Sequence, residues 1–382
     1  MPEVVDDFFP PGLALGKAFC NRVKEREIIK VAILRGEHIV LVSPRRYGKT
    51  SLITQVLQEN KIPFSSMDFL PATNSQYVKN VILTGISAVL SQILPKQKVV
   101  AEKLLGLLKG FHFKLSGSWQ GFGLGVELSS AHPPHESIIN ALMGLDKVAQ
   151  EVGIQTVLLM DEFQQLSSIS ESHMAEASIR HAVERSKMVT YVFSGSDRHT
   201  LEQMFNDKNR PLYHLCKLIR IDRIHEEDFE KFLQEASMVK WGQQLHSDVI
   251  DSILGLTERH TYYVNYLCRQ LWGQSEMPTE VIVEKEWERY VENQLPWITD
   301  DIARLSANQR AVLSALVSNP TKEIFKQQFI DQVGLQISSI KRVIETLQKS
   351  NMIYKNTEGV YFVLDPAIAS HLRTIKELFE IK

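Results

Sequence analysis

No run of about 18 apolar residues occurs in this sequence, so no membrane-spanning helix is expected. Cysteine is scarce: Cys20, Cys216 and Cys268 lie far apart, and their number is odd. This excludes a disulfide framework and a C-x-x-C or zinc spacing, and it suits free thiols in a reducing cytoplasm. There is no surplus of one charge. The 43 Lys+Arg against 45 Asp+Glu leave a net charge of −2, so no global basic field directs the chain to nucleic acid. The first seven positions lack a basic residue and carry Glu3, Asp6 and Asp7. A signal peptide is therefore not expected there, and a cytoplasmic location is. No Ser/His/Asp or Cys/His constellation stands out, and the 12 histidines are dispersed. The five tryptophans read as packing residues rather than as a stacking platform.

The sequence holds an ordinary globular mixture, 44% hydrophobic and 23% charged over 382 residues, with room for two or three domains. Through residue 223, strand-like runs alternate with helical patterns. Strands are expected at 39–42, 63–69, 156–160, 190–194 and 217–221, with helices at 76–94, 137–151 and 174–186. Apolar runs such as Val157-Leu158-Leu159-Met160 suit strands buried on both faces of a parallel sheet. The alternation predicts an α/β fold with right-handed crossovers. Residues 111–128 break the pattern with glycines and aromatics and predict an inserted β-hairpin. Its bland reading is a surface decoration; its functional reading is a partner contact. Residues 224–299 lose the strand signals and predict a helical domain. Residues 300–382 run helix, helix, turn at Gly334, helix, then a hairpin around Asn356-Thr357-Glu358-Gly359. That is the order of a winged helix.

The segment Ile39-Val40-Leu41-Val42-Ser43-Pro44-Arg45-Arg46-Tyr47-Gly48-Lys49-Thr50-Ser51 reads as strand, tight loop and helix start. Its end, Gly48-Lys49-Thr50, matches the close of the phosphate-binding loop G-x-x-x-x-G-K-[ST]. The first glycine is absent and Ser43 takes its slot. A helix N-terminus with free backbone N–H groups attracts phosphate. Gly48 lets the backbone approach it, Lys49 supplies a point charge, and Thr50 a hydroxyl for Mg²⁺. Pro44 removes a donor the cradle does not need, Arg45 and Arg46 add positive charge, and Tyr47 and Ser51 complete the run of residues expected to line the nucleotide.

A second apolar strand ends in two acids, Asp161-Glu162. Asp161 is placed to hold Mg²⁺ opposite Thr50, and Glu162 to accept a proton from an attacking water. The alternative is a strand that merely ends in surface acids. The next strand ends Ser194-Gly195-Ser196-Asp197. Ser194 or Ser196 could sense a γ-phosphate; otherwise this is a turn with glycine at positive φ and serine as a helix cap.

Together, Phe19-x-Asn21-Arg22, the PRRYGKTSL string, VLLMDEFQQL, the SGSDRHTLEQMFNDKNRPLY segment and HTYYVNYLC resemble the archaeal-type ATPase family, of the STAND group of AAA+-like P-loop ATPases. The resemblance spans nearly the whole chain. It implies a sheet ordered 5-1-4-3-2, a helical lid, a winged helix, ATP and Mg²⁺. It implies that Lys49 binds phosphate, Thr50 and Asp161 the metal, and that Glu162 is the catalytic acid. Phe19, Asn21 and Arg22 fall in the segment beside the adenine. Two departures stand out. His260-Thr261-Tyr262 replace a Gly-x-Pro nucleotide contact. His214-Leu215 replace the Gly-Arg that often follows PLY, so no trans-acting arginine carries over; Arg198 and Arg210 read as surface or salt-bridge residues.

Two functions are expected from different classes. The first is a slow ATP-hydrolysing switch whose nucleotide state, ATP or ADP, moves the lid and winged helix. The second is a nucleotide-sensing regulator that binds DNA through Ser338, Ser339, Lys341 and Arg342, with Lys355 on the wing. Residues 301–382 carry 11 Lys/Arg against 8 Asp/Glu, a mild basic excess. A scaffold that recruits a protein through the 111–128 hairpin is a third reading. The oligomeric state is left open.

Overall fold

The computed structural model describes residues 2–95, 103–104, 106, 113–116, 125–128 and 133–380. They fall into two units, one of Arg22–Arg45 and Lys49–Ile221, the other of Met1–Asn21, Arg46–Gly48 and Asp222–Lys382.

The first unit is built on β1 (Ile39–Val42), β2 (Phe64–Asp68), β5 (Thr156–Asp161), β6 (Val189–Gly195) and β7 (Lys217–Arg220). Between β2 and β5 lies the expected hairpin, with β3 (Phe113–Ser116) antiparallel to β4 (Gly125–Leu128). Residues 111–112 and 117–124 of that expectation lie outside the described residues. The five main strands pair in parallel in the order β2-β5-β6-β1-β7. Counting those five alone gives 5-1-4-3-2 read from the other edge. Burial explains the order. β1, β5 and β6 are apolar and almost wholly buried, so they take the middle. β2 and β7 alternate with exposed positions and take the edges.

Helices precede and lie between these strands in the chain. They are α2 (Val23–Leu34), α3 (Lys49–Glu59), α4 (Ser75–Ile93), α5 (Pro134–Val152), α6 (Ser172–Val183) and α7 (Arg198–Asn206), preceded in the chain by α1 (Pro2–Phe8) of the other unit. One buried carboxylate fixes the start of β6. Asp146 on α5 is 2% exposed. It accepts hydrogen bonds from Lys187 N at 2.9 Å, Met188 N at 2.8 Å, Val189 N at 3.1 Å and Ser186 Oγ at 2.9 Å. Alanine there would strand those donors. Asp146→Ala is expected to lower unfolding stability by about 3 kcal/mol or more, read by urea denaturation.

The second unit is helical. It holds α8 (Glu226–Trp241), α9 (Ser247–Leu256), α10 (Thr261–Trp272), α11 (Glu280–Ala303), α12 (Ala307–Ser318), α13 (Gln327–Val333) and α14 (Ile337–Lys349). Strands β8 (Ile353–Lys355) and β9 (Tyr361–Val363) then pair antiparallel, and α15 (Pro366–Glu380) closes the chain. Ser306 starts α12 with a capping box to Gln309. Gly334, at φ 65°, ends α13. The helix–turn–helix–hairpin order of a winged helix is therefore present. One continuous apolar core runs through the unit, from Phe8 and Phe9 of α1 to Ala369 of α15.

Candidate nucleotide site

The site starts from the strand order. β1 and β5 end on the same side because the five main strands run parallel, with β6 between them. The chain leaving β1 therefore faces the acids at the end of β5. Thr50 in the first turn of α3 donates from Oγ1 to Asp161 Oδ2 at 2.7 Å. Asp161 Oδ1 accepts from Ser194 Oγ at 2.5 Å and from Glu162 N at 3.0 Å. A hydroxyl, a carboxylate and a second hydroxyl thus converge where the sequence placed a metal.

Lys49 is 6% exposed. Its Nζ donates to Ser43 O at 3.3 Å and Pro44 O at 3.1 Å, folding back over the loop. Burial pushes its pKa down to about 8, opposed by the negative charges of Asp161 and Glu162, with Arg45 and Arg198 lowering it further. The two backbone carbonyls leave Lys49 a buried cation in the phosphate-loop motif.

Ser43 fills the slot of the missing glycine without strain. It is wholly buried, its Oγ donates to Pro44 O, and it is not among the positive-φ residues. The left-handed positions of the loop are Arg46 at φ 62° and Gly48 at φ 82°. Ser51 is buried in the first turn of α3.

Glu162 occupies a left-handed conformation, φ 50° and ψ 37°. Its Oε2 accepts from Gln164 Nε2 at 2.6 Å and from Ser196 Oγ at 2.7 Å. Arg45 Nε donates to the same Ser196 Oγ at 3.1 Å. The two candidate sensing serines thus divide the acids between them, Ser194 on Asp161 and Ser196 on Glu162. The expected turn chemistry is corrected at two positions. Asp197, not serine, caps α7 by accepting from Thr200 N at 3.1 Å. Gly195 has no positive φ; its role is close approach, since a Cβ there would lie 1.9 Å from Gln164 Oε1.

The loop crest, Arg46–Gly48, belongs to the helical unit. Tyr47 is wholly buried, edge-on to His260 at 4.8 Å and to Tyr354 of β8 at 6.3 Å. The Arg46 guanidinium lies over the Tyr262 ring at 4.1 Å. Arg223 donates to Tyr47 Oη at 3.3 Å, Glu258 Oε2 at 2.9 Å and Leu364 O at 3.3 Å, and stacks on Phe362 at 4.3 Å. Burial holds the His260 pKa down at about 3, helped by the nearby Arg223 and Arg46 charges, so its ring stays neutral at physiological pH. Arg223→Ala removes the group that ties Tyr47 to the wing. It is expected to lower thermal stability by about 2 kcal/mol, less than a fully orphaned partner would cost because Glu258 keeps Arg373.

The expected adenine segment is divided. Phe19 is half-buried and Asn21 donates to Asp228 of α8, both in the helical unit. Arg22 is buried in the other unit, where it pairs with Glu25 at 3.1 Å. Arg210 is an ion-pair residue, bound to the buried Glu176. Sequence reasoning assigned no role to Gln164, Tyr47's contacts or Arg223. Gln164 stood in the DEFQ string, but nothing there told which way its amide points.

Comparisons with known proteins bear on the fold. Residues 299–374 match the family model described as "probable winged helix domain". The structure of a Walker-type ATPase of Pyrococcus abyssi superposes with a TM-score of 0.65 at 15% identity, covering 94% of this chain and 97% of that one. The chain has the fold of a P-loop ATPase with a C-terminal winged helix. The ORC2 protein of Aeropyrum pernix, in its ADPNP–ADP complexes, superposes on the same P-loop fold with a TM-score of 0.53 at 13% identity, covering 98% of each chain. Its ADP form gives 0.51 at 11% identity, covering 99% of this chain and 97% of that one. No curated protein matches the sequence. Among the described residues, no helix of the fold is long and apolar enough to cross a membrane.

Proposed function

We propose that the chain binds ATP with Mg²⁺ and hydrolyses it slowly, as a nucleotide-dependent switch of the STAND type. The observation that carries this is the Thr50–Asp161 hydrogen bond with buried Lys49 beside it. Oxygen donors from a hydroxyl and a carboxylate fit a hard cation. Thr50 and Asp161 would hold Mg²⁺. Bound there, the ion would neutralise charge on the phosphates. Lys49 places its ammonium against the phosphates; Gly48 and the helix N-terminus receive them. Glu162 accepts the proton of the attacking water, while Ser194 keeps Asp161 oriented. The ORC2 structures, with ADPNP and ADP, support a nucleotide for a chain of this fold.

The switch reading rests on the crest of the loop. Tyr47 and Arg46 are packed by residues of the lid and wing, so a change in loop conformation is felt there. We assign residues 1–223 to the ATPase domain, 224–299 to the lid and 300–382 to the winged helix. The free thiols Cys20, Cys216 and Cys268 support a cytoplasmic setting. The test is ATP hydrolysis by wild type, Lys49→Ala and Glu162→Gln; equal, negligible phosphate release from all three removes the enzyme claim.

One observation favours the DNA-binding reading: Ser338, Lys341 and Arg342 are exposed on α14. The wing is differently placed. Tyr354 and Thr357 both donate to Asp222, which ties the wing within the protein. Duplex binding is therefore expected to be weak, through α14 alone, with a shallow salt dependence. Absence of binding at low salt removes this reading.

A further inference from the structure

We infer that Gln164 is a positioning residue for Glu162, held in place by the absence of a side chain at residue 195. The inference rests on the ATPase reading and extends it to residues that have no role so far. Gln164 is 4% exposed, although it follows the acid pair on a short turn, Phe163–Ser168. Its Nε2 donates to Glu162 Oε2, while its Oε1 is buried with no hydrogen-bond partner. An amide kept in such a place for packing alone would be better replaced by an apolar side chain. Its one polar contact is the carboxylate.

Gly195 makes the arrangement possible. A Cβ there would sit 1.9 Å from Gln164 Oε1 and 3.0 Å from Cδ, so any other residue expels the amide. The backbone of Gly195 is not left-handed, which leaves close approach as the reason for glycine. Ser196, the next residue, donates to the same Oε2 of Glu162. Three donors from two elements, the Gln164 amide and the Ser196 hydroxyl and backbone N–H, thus grip one carboxylate oxygen. Among the described residues, Oε1 of Glu162 takes no hydrogen bond. The grip fixes the rotation of the carboxylate and presents Oε1 as the base. Arg45 of the phosphate loop bonds the same serine, so the loop and the base share one hydroxyl.

The experiment compares Gln164→Leu and Gly195→Ala with wild type. Leucine keeps the volume and removes the donor. Each variant is expected to lower kcat about 100-fold, as a misplaced base does, with KM for ATP and the ATP-induced rise in melting temperature unchanged. Gln164→Ala combined with Gly195→Ala should be no slower than Gln164→Ala alone, because the space contested by the new methyl is empty. In a Glu162→Gln background, Gln164→Leu should have no further effect. Full kcat in Gln164→Leu, while Glu162→Gln abolishes turnover, overturns this inference and leaves the ATPase reading standing. Equal additional loss in the Glu162→Gln background also overturns it. A wild type without turnover overturns both.

Discussion

Glu162→Gln is expected to lower ATP turnover about 100- to 10,000-fold while leaving nucleotide binding intact. The range is what a positioned general base contributes. Glutamine keeps the size of the side chain and can still meet Ser196, but it takes no proton. The residues assigned to phosphate and metal, Lys49, Thr50 and Asp161, are untouched. The measurement pairs single-turnover phosphate release with the ATP-dependent melting shift. A variant that loses both has lost its fold or its cradle, and the role assigned to Glu162 would then be wrong. Wild-type turnover in the variant would equally remove Glu162 from the chemistry.

Lys49→Met separates binding from folding. Loss of the ammonium removes charge-assisted hydrogen bonds to phosphate, and ATP affinity is expected to fall about 100-fold. Ligand-free stability should move the other way. Lys49 carries a charge into a buried position, and its pKa falls from 10.5 to about 8. Below about pH 8 the folded state bears that cost in full. Between about 8 and 10.5 the unfolded chain holds more protons than the folded one, so stability rises with pH; above 10.5 the cost is gone. The shift corresponds to about 3 kcal/mol at most. The methionine variant should therefore melt higher than wild type at pH 7 without nucleotide, and show less gain on going from pH 8 to 10. In wild type, ATP affinity should weaken as pH climbs past about 8, because the ligand-free lysine is then losing its proton. A pH-independent difference between the two proteins would refute the assignment of a buried cation.

The sheet was legible because its central strands carry long apolar runs. Ile39–Val42, Thr156–Asp161 and Val189–Gly195 are almost wholly buried, and burial on both faces leaves no polar alternation to misread. The loop and the acids stood out because phosphate and metal chemistry would restrict residue type at fixed spacing, and the structure brings Thr50 to Asp161. Other parts depend on tertiary approach and leave little trace. Gly195 looked like a glycine of the turn, yet its constraint is an amide from a residue 31 positions earlier. Arg223 lies outside every local motif, and its four partners come from the loop, the lid and the wing. The closing helix, Pro366–Glu380, had a readable start in Pro366 and in Asp365, which accepts from Ala367 N at 2.8 Å. A winged-helix template ending at the hairpin gives no reason to look for it.

The strand order has a consequence for synthesis. β1 pairs with β6 on one side and β7 on the other, and with nothing earlier in the chain. The strand that carries the phosphate loop therefore waits for about residue 195 before it has one neighbour and for about residue 220 before it has both. Long-range parallel pairing of this kind is slow and leaves apolar edges open in the meantime. On the ribosome, Ile39–Val42 would be the exposed, aggregation-prone stretch of the nascent chain. Truncations that stop before β6 should precipitate, and limited proteolysis of stalled chains should show the loop becoming protected only when β7 has emerged.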